Sequence, residues 1–465
     1  MSKILLPIVC VAAAGFAVTA IAQNPAPAKP TAPQATNAAP AVAPSADPFV
    51  RNPSAKPAAT PAKEPEPPPV NILTTLETWS LSQADFAALL DGPADERAPV
   101  DRLEALAKAG KAKLLGLQAI STKAGQRAVV ETMDELRYAT EFKQAERTGE
   151  LSFPTTYETR NAGETFELEP NIGPDGRTIE IHLVPQTVRL AGFQDWRPEE
   201  GAAAVGQPQI QTEKLTTSVT VQSGRPILLS AATPARTGPE ANPIRVRVLR
   251  AAAQPVPPPA TVVADPLEVR IDLLIYALER EVARRILTET ADSAQSYAAV
   301  RELVDKGSAQ LEIVTSFLNK SGQRAVNEEI LEVRYPSKTN PPGYDSQTVP
   351  KENRQPASFG SFETRNTGVT MEIETNLGPG ARLVNINVVP QVVEFRGMVQ
   401  PGGAAAREPA QPLFTTRKLT TSATSAAGVP VLLGTMSQPR ETGVNDRKDD
   451  GRTSLAYIRV TPIRP

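Results

Sequence analysis

Few side chains in this sequence could do chemistry. The best candidate is a histidine, and a similar stretch of the same chain has an asparagine in its place. His182 is the single histidine of the 465-residue chain, so no other imidazole could act as a general acid or base near neutral pH. Strand-like alternation places it beside Glu180 on the polar face, and the matching position in a second, similar stretch is Asn387. A solvent-facing strand residue is therefore the preferred interpretation of His182 over a catalyst.

Asp175 lies in a Pro-Asp-Gly stretch and offers a carboxylate of the kind found in calcium loops. No Asp-x-Asp-x-Asp spacing and no distal glutamate accompany it, and the second stretch has Gly380 at this place. Asp175 is predicted to be a turn residue.

Two polar strings recur in the chain. ETRN occurs at 158–161 and 363–366, and LTTS occurs at 215–218 and 419–422. Hydrogen bonding at strand edges and threonine ladders are preferred over a ligand site. No glycine-rich phosphate cradle, paired acid–base carboxylates or metal cluster is evident in the sequence, which predicts no catalytic, cofactor-binding or metal residues. We therefore expect a non-enzyme.

The recurrent strings belong to a longer internal repeat. GQRAV at 125–129 recurs at 322–326, YETRNAG at 157–163 matches FETRNTG at 362–368, and TEKLTTS at 212–218 matches TRKLTTS at 416–422. Collinear blocks of this kind indicate a tandem duplication. The predicted copies cover residues 71–250 and 266–465, with a proline-rich linker at 251–265.

Composition divides the remaining chain and limits its partners. Residues 1–22 resemble a secretory signal peptide, with a positive start, an apolar stretch and a small-residue cleavage site. Residues 23–70 contain 14 prolines and 13 alanines and are predicted to be a disordered linker. Cys10, the only cysteine, lies in the signal peptide, so the mature chain is expected to have no disulfide. A net charge of −2 disfavours nucleic acid as a partner.

Each copy is predicted to run β, α and then mostly β, giving a mainly β (α+β) fold of two tandem antiparallel domains with one or two short helices each. Val100, Leu103, Leu106 and Ala107 share one helical face before Gly110. Hairpins follow around Gly125 and around the turns PDGR and PGAR. LTTSVTV and PILLSA are predicted to form a third strand pair, with Pro226 and Pro430 at strand starts.

The order of these blocks resembles the C-terminal domain of bacterial secretins, the ring proteins of type II and type III secretion and type IV pilus systems. The similar stretches are AGKAKLLGLQAISTKAGQRAVVE with its counterpart KGSAQLEIVTSFLNKSGQRAVNE, AGETFELEPNIGPDGRTIEIHLVPQ, LTTSVTVQSGRPILLS with LTTSATSAAGVPVLLG, and YIRVTPIRP. The resemblance covers residues 71–465. It implies an exported envelope protein of a diderm bacterium, in the periplasm or outer membrane, with a structural role.

Two functions remain open from the sequence. One is a secretin-like envelope component whose copies join edge to edge, so that the partner is the chain itself or another secretion protein. The other is a soluble periplasmic structural or protein-binding module that uses the secretin-type sheet without forming a pore. The proline-alanine linker, which stands where secretins have small ring-forming domains, favours the second. A signal peptide and a tandem repeat are common to both.

Overall fold

The computed structural model describes residues 68–90, 98–143, 153–196, 205–234, 243–259, 268–340, 358–400, 410–440, 442–444 and 449–463. The predicted signal peptide and all but the last three residues of the predicted linker at 23–70 lie outside them. The described residues belong to one compact unit that begins at Glu66.

The described residues form four short α-helices, one 3-10 turn at Pro379–Ala381 and seventeen strands, which confirms the predicted mainly β class. The first half comprises β1 (Val70–Leu81), α1 (Gln83–Leu90), α2 (Ala98–Lys108), β2 (Ala112–Lys123), β3 (Ala128–Lys143), β4 (Phe153–Ile172), β5 (Thr178–Trp196), β6 (Val205–Lys214), β7 (Thr217–Gln222), β8 (Pro226–Ala232) and β9 (Ile244–Pro255). The second half comprises β10 (Glu268–Glu279), α3 (Arg280–Glu289), α4 (Ser293–Asp305), β11 (Ala309–Lys320), β12 (Arg324–Asn340), β13 (Ser358–Leu377), β14 (Leu383–Val399), β15 (Gln411–Ala426), β16 (Val431–Thr435) and β17 (Arg452–Ile463).

The strands form two antiparallel sheets, and both halves contribute to each. The eight-stranded sheet has the order β11-β10-β17-β16-β2-β1-β9-β8. The nine-stranded sheet has the order β12-β13-β14-β15-β3-β4-β5-β6, with β7 also paired to β5. The halves are therefore joined in the middle of each sheet, at β16–β2 and at β15–β3, and not by the chain connection alone.

Strand alternation builds the core between the sheets. Along β5, Ile179, Ile181 and Leu183 are buried while Glu180 and His182 are exposed. Such inward-facing residues from both sheets and both halves form one apolar cluster, which includes Leu76, Ile120, Phe166, Leu273, Ile386 and Ile458. Burial of this shared layer makes the two sheets a sandwich.

The helices cover the other face of the eight-stranded sheet. Leu89 of α1 and Leu103 of α2 pack with Trp79 of β1. In the second half, Val300 of α4 packs with Tyr276 and Tyr457. Gly110 and Gly307 follow α2 and α4 at φ 71° and 73°, the left-handed termination that the sequence predicts.

The hairpin turns also follow the sequence. Gly125 has φ 72°, and the PDGR turn has Gly176 at φ 66° with its N–H donating to the carbonyl of Gly173 at 3.0 Å. The PGAR turn differs, because Gly380 and Ala381 both adopt positive φ, 66° and 49°. Ala381 is the one non-glycine residue with positive φ in the described part of the chain.

The predicted third strand pair is wrong. β7 pairs with β5 in the nine-stranded sheet, whereas β8 pairs with β9 in the eight-stranded sheet. The chain changes sheets at Gly224, whose φ is 79° and whose N–H donates to the carbonyl of Ala251. Alternation and a turn glycine fit a hairpin and a sheet-to-sheet crossing equally well, so the pattern does not determine the partner. At the other end of this half, β9 continues to Pro255, five residues into the segment predicted as a linker.

Candidate assembly interface

The two sequence candidates for chemistry lie in exposed places. His182 is exposed on β5, opposite Ser218 of β7, and their side chains are 2.5 Å apart. In the second half Asn387 lies opposite Ser422 and accepts a hydrogen bond from its hydroxyl at 2.7 Å. The same cross-strand contact is thus made with and without an imidazole. Nothing in it requires histidine chemistry.

Asp175 acts on its own turn. Its carboxylate accepts hydrogen bonds from the Thr178 hydroxyl and from the backbone N–H groups of Thr178 and Arg177, at 2.6, 2.9 and 3.0 Å. Because these donors favour the ionised form, the Thr178 hydroxyl most of all, the pKa of Asp175 falls to about 2. This geometry agrees with a turn residue.

The two ETRN strings have different surroundings. Glu363 and Arg365 of the second string lie on β13 and reach across to β3 of the first half. The Arg137 guanidinium is 3.2 Å from the Glu363 carboxylate, and Arg365 is 2.5 Å from Glu135. The first string, on β4, is exposed at all four residues. One string therefore joins the halves and the other faces solvent.

Backbone pairing between the halves defines the internal junction. β15 and β3 pair over seven residues, from Phe414 opposite Glu135 to Thr420 opposite Val129. In the other sheet, Gly434 of β16 pairs with Ile120 of β2. A Cβ on Gly434 would lie 2.4 Å from the carbonyl oxygen of Ala119, so only glycine permits this close approach of the two strands.

One buried carboxylate at the junction belongs to none of the motifs found in the sequence. Asp134 of β3 is 1% exposed and accepts hydrogen bonds from the hydroxyls of Thr415, at 2.5 Å, and Thr442, at 2.7 Å. Both donors come from the second half. The sequence does contain one sign of this burial: strand alternation places Asp134 on the same inward-facing side of β3 as Val130 and Leu136. A charge at an inward position indicates a partner from elsewhere in the fold.

A buried arginine lies beside this junction. Arg417 of β15 is fully buried, 2.8 Å from Glu312 and 3.5 Å from Glu394, and it donates to the carbonyl of Met436 at 2.9 Å. Since a buried guanidinium needs charge partners, these two glutamates hold β11, β14 and β15 together. The sequence offers no sign of it, because Glu312, Glu394 and Arg417 are far apart along the chain.

Within the described residues, the outer strands of each sheet are paired on one side over most of their length, and β12 also meets β4 at Lys338 and Thr156. β11 and β8 terminate the eight-stranded sheet, and the paths of the nine-stranded sheet begin at β12 and end at β6 and β7. Two matching positions of the similar sequence stretches differ in burial, since Leu117 of β2 is 1% exposed at the junction while Val314 of β11 is 58% exposed. Further exposed apolar residues on β11 and β12 are Leu311, Leu318, Val326, Ile330 and Leu331.

Among the described residues, no group of three or more histidine, cysteine, aspartate or glutamate side chains could hold a metal ion. In the same part of the chain, no helix is both long and apolar enough to cross a membrane.

Comparison with known proteins finds one family match, which lies within the first half. Residues 105–237 match the model of the secretin family, described as bacterial type II and III secretion system protein. The matched family is one of secretion-system proteins and not of enzymes, in agreement with the expected non-enzyme. A search of curated proteins gives no match.

Several solved structures are similar to the chain. The type II secretin GspD from enteropathogenic Escherichia coli is 12% identical, over 43% of this chain and 71% of GspD, with a TM-score of 0.23. The secretin domain of InvG from the Salmonella SPI-1 injectisome is 9% identical, over 60% of this chain and 88% of that chain, with a TM-score of 0.24. The type IV competence pilus secretin PilQ of V. cholerae is 9% identical, over 86% of this chain and 62% of that chain, with a TM-score of 0.20.

Proposed function

Starting from the secretin domain at residues 105–237, we propose that the chain is a structural component of a bacterial cell-envelope secretion or pilus-type assembly. The observation that carries this function is the pair of sheets whose outer strands, among the described residues, lack a second partner over most of their length: β11 and β12 at one end and β6, β7 and β8 at the other. Unpaired strand edges present rows of free N–H and C=O groups that favour pairing with another chain. The chain is suited to assembly and not to chemistry.

We also propose that residues 71–250 and 266–465, joined by 251–265, are two copies of the secretin-type unit. The same order of elements supports this, since each half runs strand, two helices and then strands only. The first strand of each half also pairs antiparallel with the last strand of that half, with Leu76 opposite Leu249 in β1–β9 and Leu273 opposite Ile458 in β10–β17. The cross-strand contacts at His182 and Asn387 agree.

Export is part of the proposal. Residues 1–22 are proposed to be removed as a signal peptide, residues 23–70 to act as a spacer, and the mature chain to reside in the periplasm or at the outer membrane. Amino-terminal sequencing of the protein from cells should begin at Gln23. An uncleaved chain recovered from the cytoplasm would contradict the envelope location.

The function is tested by the size and location of the native protein. Membrane fractions should be extracted with mild detergent and the chain sized by light scattering and negative-stain microscopy. We expect a large assembly of many copies or of several envelope proteins. A chain recovered only as a clean monomer, in every fraction and over a wide range of concentration, would contradict a structural role in such an assembly.

A soluble periplasmic module is the second candidate, and one contact favours it. Lys338 of β12 pairs with Thr156 of β4 in the same chain, and the Thr339 hydroxyl donates to the carbonyl of Pro154 at 2.5 Å. The chain thus covers a small part of its own edges. Release by osmotic shock as a monomer would support this candidate, whereas membrane association that resists high salt would oppose it.

A further inference from the structure

We infer that the β11–β12 edge binds the β6–β8 edge of a second copy of this chain, in the register of the internal junction. The inference rests on the proposed function and deepens it by naming the partner and the residues that set the register. It follows from comparing the junction between the halves, residue by residue, with the positions that the repeat makes equivalent.

Two ion pairs across the internal junction supply the template. Glu135 and Arg137 lie on β3 of the first half, and Arg365 and Glu363 lie on β13 of the second. Glu135 pairs with Arg365 at 2.5 Å, and Arg137 pairs with Glu363 at 3.2 Å. Two positive and two negative side chains therefore alternate across the boundary. β3 and β13 are not paired with each other in the sheet, so these are side-chain contacts between the two halves, and a shift of two residues between the strands would bring Glu135 beside Glu363.

The repeat supplies the same four charges a second time. The counterparts of Glu135 and Arg137 are Glu332 and Arg334 on β12, and the counterparts of Arg365 and Glu363 are Arg160 and Glu158 on β4. All four are exposed, and none has an ion-pair partner within 4 Å among the described residues. One set of charges is used within the chain. An equivalent set is exposed on β12, at one edge, and on β4, which lies inside the β6 edge as β13 lies inside β15 at the internal junction.

A third charge pair repeats in the same register. Lys418 of β15 lies opposite Glu131 of β3 in the internal junction. The counterparts are Lys214 of β6 and Glu328 of β12, again opposite in charge and both exposed. The pairing of Lys214 with Glu328 would extend the contact along the same two edges.

One ion pair of the internal junction has an apolar counterpart. Arg284 of α3 lies 2.9 Å from Glu77 of β1, and the counterparts are Ala87 of α1 and Leu274 of β10. Arg284 also lies 3.1 Å from Glu104, whose counterpart Arg301 pairs with Asp305 of its own helix at 3.7 Å.

One position would bring two carboxylates together. In the internal junction, Arg417 lies opposite Thr132. The counterparts of these two residues are Glu213 and Glu329, which would lie opposite each other in the second junction. Glu213 is already compensated by arginines of its own chain, Arg245 at 2.6 Å and Arg189 and Arg247 at 3.6 Å. The surrounding positive charge offsets the repulsion.

The chain does not complete the second junction by itself. Its edges meet only at Lys338 and Thr156, and continuing this antiparallel pairing would place Arg334 opposite Arg160. Two arginines directly opposite each other repel, and this register lacks the arginine–glutamate pairing found at the internal junction. The main lengths of β11, β12, β6 and β8 remain available to another molecule.

Charge reversal tests the register. Arg160→Glu and Glu332→Arg should each weaken self-association of the full chain by about tenfold or more, because each places like charges together. The double variant should restore it. Lys306→Glu is the control, since Lys306 is 62% exposed on the end of α4 and pairs only locally with Glu302. Analytical ultracentrifugation gives the association constants, and circular dichroism checks folding. Unchanged association in both single variants would overturn the inference.

Cysteine pairing tests the partner. In the internal junction, Thr420 lies opposite Val129. Their counterparts, Thr216 and Val326, should therefore lie opposite each other between two copies. In a Cys10→Ala background, a chain with Thr216→Cys should be mixed with a chain with Val326→Cys and mildly oxidised. We expect a reducible mixed dimer, and much less of it when Ser218→Cys replaces Thr216→Cys. A cross-link that forms only when both cysteines are in one chain would overturn the second copy as partner.

The outcomes separate the inference from the proposed function. If the unaltered chain assembles but neither charge reversal nor cysteine pairing responds as expected, the inferred interface is wrong and the envelope role stands. If the unaltered chain stays monomeric in every fraction, both are wrong.

Discussion

The guanidinium of Arg137 on β3 lies 3.2 Å from the carboxylate of Glu363 on β13, and this pair joins the two halves of the chain. Arg137 also donates to the carbonyl of Ser337 at 3.2 Å and lies over the rings of Tyr335 and Tyr157. Its side chain is 7% exposed. The counterpart Arg334 is exposed.

Replacing Arg137 should therefore cost far more than replacing Arg334. Arg137→Ala removes an ion pair to a half-exposed carboxylate, a hydrogen bond and two cation–π contacts of a buried guanidinium, and we expect the free energy of unfolding to fall by about 2–3 kcal/mol. Arg334→Ala should change it by less than about 0.5 kcal/mol in dilute, monomeric protein. Urea unfolding followed by circular dichroism measures both. Equal effects would contradict the junction as described.

The buried Arg417 should be sensitive to loss of its carboxylates. Glu312→Gln combined with Glu394→Gln leaves a fully buried guanidinium without an anion, and we expect a loss of about 3–5 kcal/mol. Adding Arg417→Met to this double variant removes the buried charge and should recover a large part of the loss. If the triple variant were less stable than the double, the arginine would not be the source of the cost.

Gly163 and Gly368 should not tolerate a side chain. A Cβ would lie 2.0 Å from the Thr132 carbonyl oxygen at Gly163 and 2.1 Å from the Glu329 carbonyl oxygen at Gly368. Because these oxygens belong to paired strands, we expect alanine at either position to destabilise by about 3 kcal/mol or more. Gly176→Ala is the matched control, with φ 66° but open space around it, and should cost about 1 kcal/mol. Thermal unfolding of the three alanine variants measures these losses of stability.

Ala381→Gly should stabilise the chain. Ala381 has φ 49°, where an L side chain is strained, and the equivalent position in the first half is Gly176. Relief of this strain should exceed the lost methyl burial and raise the free energy of unfolding by about 0.5–1 kcal/mol. Ala84→Gly, in the exposed part of α1, should instead lower it by about 1 kcal/mol. Urea unfolding of both variants gives the two signs.

Asp175 should make stability depend on pH in the acid range. Its folded pKa of about 2 lies below the ordinary 3.8, so its contribution is present above about pH 4 and is lost as pH falls towards 2. Thr178→Val removes the strongest hydrogen bond to the carboxylate and should move the pKa back towards 3.8. Carboxyl-carbon NMR titration of Asp175 measures this pKa in both proteins. An unchanged value in the variant would show that the hydroxyl is not the main cause.

The sequence by itself determined what depends on near neighbours along the chain. Alternation placed His182 on an exposed face, and the need for positive φ located Gly125 and Gly176 at turns, because strand period and turn geometry are local properties. Comparison of the two similar stretches also showed that Gly380 and Asn387 occupy the positions that match Asp175 and His182. The mainly β class and the likeness to secretins followed from these patterns.

Only the tertiary structure decided which strands meet. The crossing at Gly224 separates β7 from β8, and the internal junction gives Asp134 its two threonine donors from the second half. The same junction places Glu363 and Arg365 of one ETRN string in ion pairs with the first half and leaves all four residues of the other string exposed. Pairing partners are set by free-energy differences over the whole sandwich, since any strand with the right alternation can satisfy its backbone on several neighbours.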